Sequence, residues 1–191
     1  CRAVVAVRRM RPELVDAFLR HLRVVVMGLR RLPDEPETLR EAAERSGVDP
    51  ADLTAWTDDP GTADELADDM AAARAPDAPS LALPERLAQT PDGVWRLTCP
   101  SYVMSHGDDR LSAPGFQPAR VYEVMVANLA PGIVPRPDAA DVTEVLRWAP
   151  YPLATQEVAA LTGMPREAAR SALEGAGARY VAAGSDGFWE L

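Results

Sequence analysis

Lysine is absent, and all 20 basic residues are arginine. Chemistry that rests on a lysine amine, such as Schiff-base formation or the phosphate-binding P-loop, is thereby excluded. Cysteine is scarce: Cys1 and Cys99 are the only two in 191 residues. A chain this long can hold itself together by its core, so no disulfide scaffold is expected. Histidine is as rare, with His21 and His106 alone. A zinc site needs three or four converging ligands, and these four residues are spread along the chain, so no metal is expected. Positive charge is in deficit, with 29 acidic side chains and a net charge of −9. Without a broad positive field, neither nucleic acid nor an anionic membrane is an expected partner. Apolar runs are short, Val24 to Met27 among them, and fall far below the roughly 18 to 20 residues that cross a bilayer. Also missing are C-x-x-C, H-E-x-x-H, G-x-S-x-G, a Walker loop and G-x-G-x-x-G. The first residue is Cys1, with neither Met nor a signal-like segment; the expectation is that residues precede it, and the compartment is taken as cytoplasmic.

What is present reads as helix from Cys1 to Ala75. Residues Arg2 to Met10 form one helix, and Pro12 suits the first turn of a second. In that second helix Leu14, Phe18, Leu22, Val25 and Leu29 recur at spacings of four, four, three and four, which places one face in a core. A short helix from Glu37 to Arg45 ends at Gly47. Asp49-Pro50 and Asp59-Pro60 repeat one device, an aspartate cap followed by a proline that has no N–H to lose. Ala75 to Pro84 reads as a surface connection. Leu87 reads as the end of a short helical turn, and Pro91-Asp92-Gly93 as a turn. The period then becomes extended, predicting strands at Val94–Thr98, Ser101–Met104 and Arg110–Ala113. A helix opens at Gln117-Pro118 and carries Val121, Met125 and Leu129 on one face.

Ile133 to Pro137 reads as a linker. Beyond it the expected order is helix (Val142–Trp148), helix (Gln156–Leu161), helix (Pro165–Glu174), strand (Arg179–Val181) and strand (Phe188–Leu191). That order is a winged helix. Its second helix-turn-helix helix carries Arg166 and Arg170, but residues 138–191 hold four arginines against eight carboxylates. Binding to DNA is therefore not expected, and the unit is read as a packing or dimerisation appendage. Phe188 and Trp189 are expected to anchor the wing to its own helices.

Few residues stand out for chemistry. His21 lies within a helix and reads as solvated or locally bonded. Asp68-Asp69 and Asp108-Asp109 are adjacent, so their side chains diverge and read as solvated charge.

The segment Thr98-Cys99-Pro100-Ser101-Tyr102-Val103-Met104, followed by a hairpin and a helix, is more specific. Here the chain resembles the DsbA family of thioredoxin-fold oxidoreductases, the group that includes 2-hydroxychromene-2-carboxylate isomerase. Pro100 matches the family's cis-proline, Ser101 to Met104 its strand, Arg110 to Ala113 the hairpin partner, and Gly115-Phe116-Gln117-Pro118 the turn into the closing helix. The stretch Arg2 to Ala75 looks like the family's helical insertion. The resemblance implies an α/β, mostly helical protein: a partial thioredoxin-like domain over residues 1–132 that lacks its first strands, then the winged-helix-like unit over 138–191. It also implies thiol–disulfide exchange, with Cys99, Pro100 and Ser101 lining a substrate cleft. No bound cofactor is implied, a low-molecular-weight thiol being the candidate reductant. The expected partner is a protein or small-molecule thiol or disulfide, with a homodimer admitted through the tail.

This chain departs from the family in having no C-x-x-C, so no catalytic residue is assigned and the dithiol is expected upstream of Cys1. Cys1 is read as an ordinary small buried residue rather than half of a divided motif, because Arg2–Met10 leads directly into another helix. Two readings of Cys99 stand open: a half-buried strand cysteine, or a thiol lying near the dithiol. Two alternatives to the oxidoreductase also stand, a thiol-cofactor-dependent isomerase of the same group and a winged-helix regulator whose helical domain senses a ligand.

Overall fold

A computed structural model describes all 191 residues. The protein is mixed α/β and mostly helical, with three small antiparallel sheets. No helix is long and apolar enough to cross a membrane.

The chain divides into two compact units, one of residues 1–2 and 59–135, the other of residues 3–58 and 136–191. This grouping differs from the sequence division near residues 132–138: the early helices share a unit with the tail. The chain passes from one unit to the other between Pro135 and Arg136, inside the two-proline stretch.

In the second unit, α1 (Arg2–Met10) and α2 (Val15–Arg23) are joined by a 3-10 turn at Pro12–Leu14. Beyond α2 the helix widens to a π-turn over Val24–Gly28, in which Leu29 N–H donates to Val24 O at 3.0 Å. Helix α3 (Pro36–Ser46) stops at Gly47, whose φ of 79° permits the left-handed turn. Helix α4 (Pro50–Asp58) starts where Asp49 accepts from Ala51 N–H at 2.8 Å. Ala3, Ala6, Val7, Phe18, Ala42, Ala43, Val48 and Leu53 form one core. The small residues of α1 and α3 leave room for the Phe18 ring, which is fully buried.

The tail supplies a second core to the same unit. Helix α8 (Val142–Trp148) is capped by Asp141, strand β5 (Leu153–Ala154) leads into α9 (Thr155–Thr162), and α10 (Arg166–Gly175) follows Gly163. Strands β6 (Arg179–Ala183) and β7 (Asp186–Glu190) form a hairpin, and β7 lies between β5 and β6. Val145, Leu146, Val158, Ala169, Leu173 and Trp189 make the core. Trp189 is its largest fully buried side chain, as its expected anchoring role requires; Phe188 is only half-buried.

The first unit begins with α5 (Pro60–Ala73), capped by Asp59, which accepts from Gly61 N–H at 2.8 Å. The connection after it is more ordered than its composition suggests. Asp77 caps a one-turn helix α6 (Ala78–Leu81), and a 3-10 turn at Pro84–Arg86 precedes β1 (Leu87–Gln89). That strand, read from the sequence as the end of a turn, pairs with β2 (Trp95–Leu97). A second hairpin follows: β3 (Tyr102–His106) and β4 (Asp109–Ala113), in register from Tyr102 opposite Ala113 to His106 opposite Asp109. Helix α7 (Ala119–Leu129) packs on this hairpin, burying Met125 and Leu129 and setting Tyr122 edge-on to Tyr102 at 5.1 Å.

Candidate functional site

The bend before β3 is where sequence reading placed the substrate cleft. The Cys99–Pro100 peptide bond is cis, and Cys99 and Pro100 are both exposed. Thus Cys99 is not a half-buried strand residue. It sits in the bend, two positions after β2 ends, with its thiol open to solvent. Cys1 is also exposed, which corrects the expectation of a buried residue; it precedes the first residue of α1 and lies outside both cores.

Ser101 has a different role from its neighbours. Its hydroxyl donates to Thr98 O and accepts from Gly115 N–H at 2.9 Å. Thr98 Oγ1 donates to Arg86 O at 2.8 Å, and Arg86 Nη1 donates to Phe116 O at 2.9 Å. These bonds tie the bend before β3 to the turn after β4. Gly115 is required there, since its φ is 68° and a Cβ would lie 3.1 Å from Arg86 O. Of the three residues expected to line a cleft, Cys99 and Pro100 are presented outward, while the Ser101 hydroxyl is held within the protein.

Several large apolar side chains of this unit are exposed. Tyr102 and Val103, neighbours on β3 and therefore on opposite faces of the hairpin, are 46% and 42% exposed. Trp95, Phe116, Val124 and Val126 are exposed as well. Below the hairpin Asp77 accepts from Ser112 Oγ, and from Ser80 N–H at 3.0 Å. Burial pushes the Asp77 carboxyl up, but these hydrogen bonds and the Arg110 charge outweigh it and hold the group below its ordinary 3.8.

The second unit holds two polar constellations that sequence reading does not find. In the first, Trp189 Nε1 donates to Thr155 Oγ1 at 2.9 Å, and that hydroxyl donates to Asp186 Oδ1 at 2.8 Å. Arg166 reaches Asp186 Oδ2 at 2.9 Å and Arg170 reaches Oδ1 at 3.6 Å. Burial raises the Asp186 pKa, but Thr155, Arg166 and the Gly187 N–H lower it further, leaving it below 3.8. The two arginines of α10 are thus turned toward the β6–β7 turn.

In the second, Arg20 of α2 pairs through both terminal nitrogens with Glu157 of α9, one contact at 2.6 Å, and its guanidinium lies 4.8 Å from the Tyr151 ring centroid. Glu157 also accepts from Ala154 N–H at 2.8 Å, so one carboxylate caps α9 and holds α2. Arg20, His21 and Arg45 meet Tyr151, Arg179 and Phe188 around a cleft of about 180 Å³. His21 is half-buried there, and burial first, then the Arg45 and Arg20 charges, hold its pKa below the ordinary 6.5. The one signal in the sequence is that Arg20 falls off the Phe18–Leu22–Val25 face, while His21, three after Phe18 and four before Val25, borders it. Their partners lie too far along the chain for any local pattern to show, 137 positions in the case of Arg20 and Glu157.

No group of three or more His, Cys, Asp or Glu side chains lies close enough to share a metal ion. No protein-family model matches this chain, and no curated protein matches it either.

Proposed function

We propose that this chain is part of a DsbA-like thiol–disulfide oxidoreductase, in which the bend at Cys99 and Pro100 borders the substrate cleft. The observation that carries the reading is the state of β3. Its first three residues, Tyr102, Val103 and Met104, put apolar side chains on both faces, a pattern that belongs to the middle of a covered sheet, yet Tyr102 and Val103 are nearly half exposed in a hairpin of only two strands. A hairpin with a helix packed on it and an apolar surface left bare is what the closing part of a thioredoxin-type sheet offers its remaining strands.

In such a protein a thiolate attacks one sulfur of a substrate disulfide, releasing the other as a thiolate and forming a mixed disulfide. A second cysteine then attacks its neighbour's sulfur, so the substrate leaves fully reduced and the enzyme dithiol becomes a disulfide. The backbone of the bend would pair with an extended substrate beside the reactive sulfur. The chain has no C-x-x-C, so the dithiol must come from residues outside these 191.

The tail supports a second part of the proposal. The order helix, strand, helix, helix, strand, strand with β7 between β5 and β6 fits a winged helix. Arg166 and Arg170 are drawn to Asp186, which favours a packing role for this unit over phosphate contacts.

The test compares the 191-residue chain with a longer product of the same coding region in a disulfide-reduction assay driven by a small thiol. The longer protein is expected to turn over and the 191 residues alone to be inert. Turnover by the 191 residues, or none by the longer protein, overturns the assignment.

A further inference from the structure

We propose that the cleft shared by α2, the approach to β5 and the β6–β7 hairpin binds a small aromatic carboxylate, a ligand class unrelated to sulfur chemistry.

The cleft encloses about 180 Å³, below the roughly 300–1,000 Å³ of sites for drug-sized molecules, so it suits a single ring. Tyr151 and Phe188 supply aromatic walls, and Val24, Pro152 and Val181 add aliphatic ones. Such a lining favours a flat apolar body, which gains from offset or edge-on ring contacts as well as from burial.

Of the cations around the cleft, Arg20 is matched by Glu157, and Arg179 by Glu190, which also lines it. Arg45 places both its Nε and Nη2 on a single oxygen of Glu41, at 3.1 and 2.8 Å. Its Nη1 is left for another acceptor. Burial, and after it the charges of Arg45 and Arg20, hold the His21 pKa below its ordinary value.

His21 is half-buried and lines the cleft, and its imidazole makes no hydrogen bond within the protein. A neutral imidazole carries one N–H donor and one acceptor, and a carboxylate in the cleft would take the donor while facing Arg45. The π-turn that begins at Val24 adjoins this site, a placement common for π-bulges in helices.

The two histidines make the test direct, because His21 and His106 are the only imidazoles and His106→Gln assigns their NMR signals. Benzoate titrated into the full chain is expected to displace the His21 signals saturably, with Kd on the order of 1 mM, and to leave those of His106 in place. Benzamide, which has the ring without the charge, is expected to bind at least about tenfold more weakly. Arg45→Gln should weaken benzoate binding by about tenfold. Val181→Trp fills the cleft at a half-exposed position without altering its charges, and should abolish the shift while thermal unfolding stays cooperative. Absence of a saturable shift, equal binding of benzamide, or unchanged binding in folded Val181→Trp overturns the proposal.

Discussion

A carboxylate that accepts from Thr155 and faces two arginines stabilises the fold only while it is charged. The Asp186 pKa is below 3.8 in the folded protein, so its contribution is present above 3.8 and is lost as pH falls through the lower folded value. Asp186→Asn is expected to cost about 1–3 kcal/mol at neutral pH and to flatten the acid limb of a urea-unfolding series. His21 also loses stability toward acid, but for the opposite reason, since here the charged form is the disfavoured one. Its folded pKa is below 6.5, so below 6.5 the unfolded state takes up a proton that the folded state resists, and stability declines down to the folded pKa. His21→Gln should remove that slope, as measured by unfolding free energies between about pH 5 and 8. Gly184 presents a steric case: its φ is 61° and a Cβ would run into the Gly28 carbonyl oxygen. Gly184→Ala is expected to cost about 2 kcal/mol or more, whereas Gly132→Ala, with nothing within 4 Å, should leave the melting temperature nearly unchanged.

At the scale of elements, legibility followed the length and the locality of the signal. The helices α2, α3, α4 and α5 could be read because Asp-Pro caps, Gly47 and a four-four-three spacing are written within a few neighbouring residues. Strands β1 and β5 could not, being three and two residues long and existing only through partners elsewhere in the chain. The π-turn at Val24–Gly28 was legible as helix but not as a widened one, since nothing in Val-Val-Val-Met-Gly distinguishes the two. The cis bend at Cys99 and Pro100 was expected from the family resemblance and not from the proline itself, since a strand start accepts proline in trans as well. The tie from Ser101 to Gly115 was not, because it links side-chain and backbone groups across a hairpin.

At the scale of the whole molecule, the second unit is assembled from two stretches of chain with the first unit between them. Its halves are joined by Arg20 and Glu157, a pair whose side chains are 19% and 34% exposed. Arg20→Ala and Glu157→Ala in a double-mutant cycle should show a coupling of about 1–3 kcal/mol, read by chemical denaturation; additive effects would mean that the pair is worth no more than an ordinary surface contact. The interleaved order also constrains synthesis. A ribosome adding roughly 5–20 residues per second completes α4 well before it reaches the β6–β7 hairpin. For about 5–20 seconds the nascent helices therefore have their own core but not Glu157, the partner that Arg20 will grip, and throughout that interval the aromatic cleft does not yet exist.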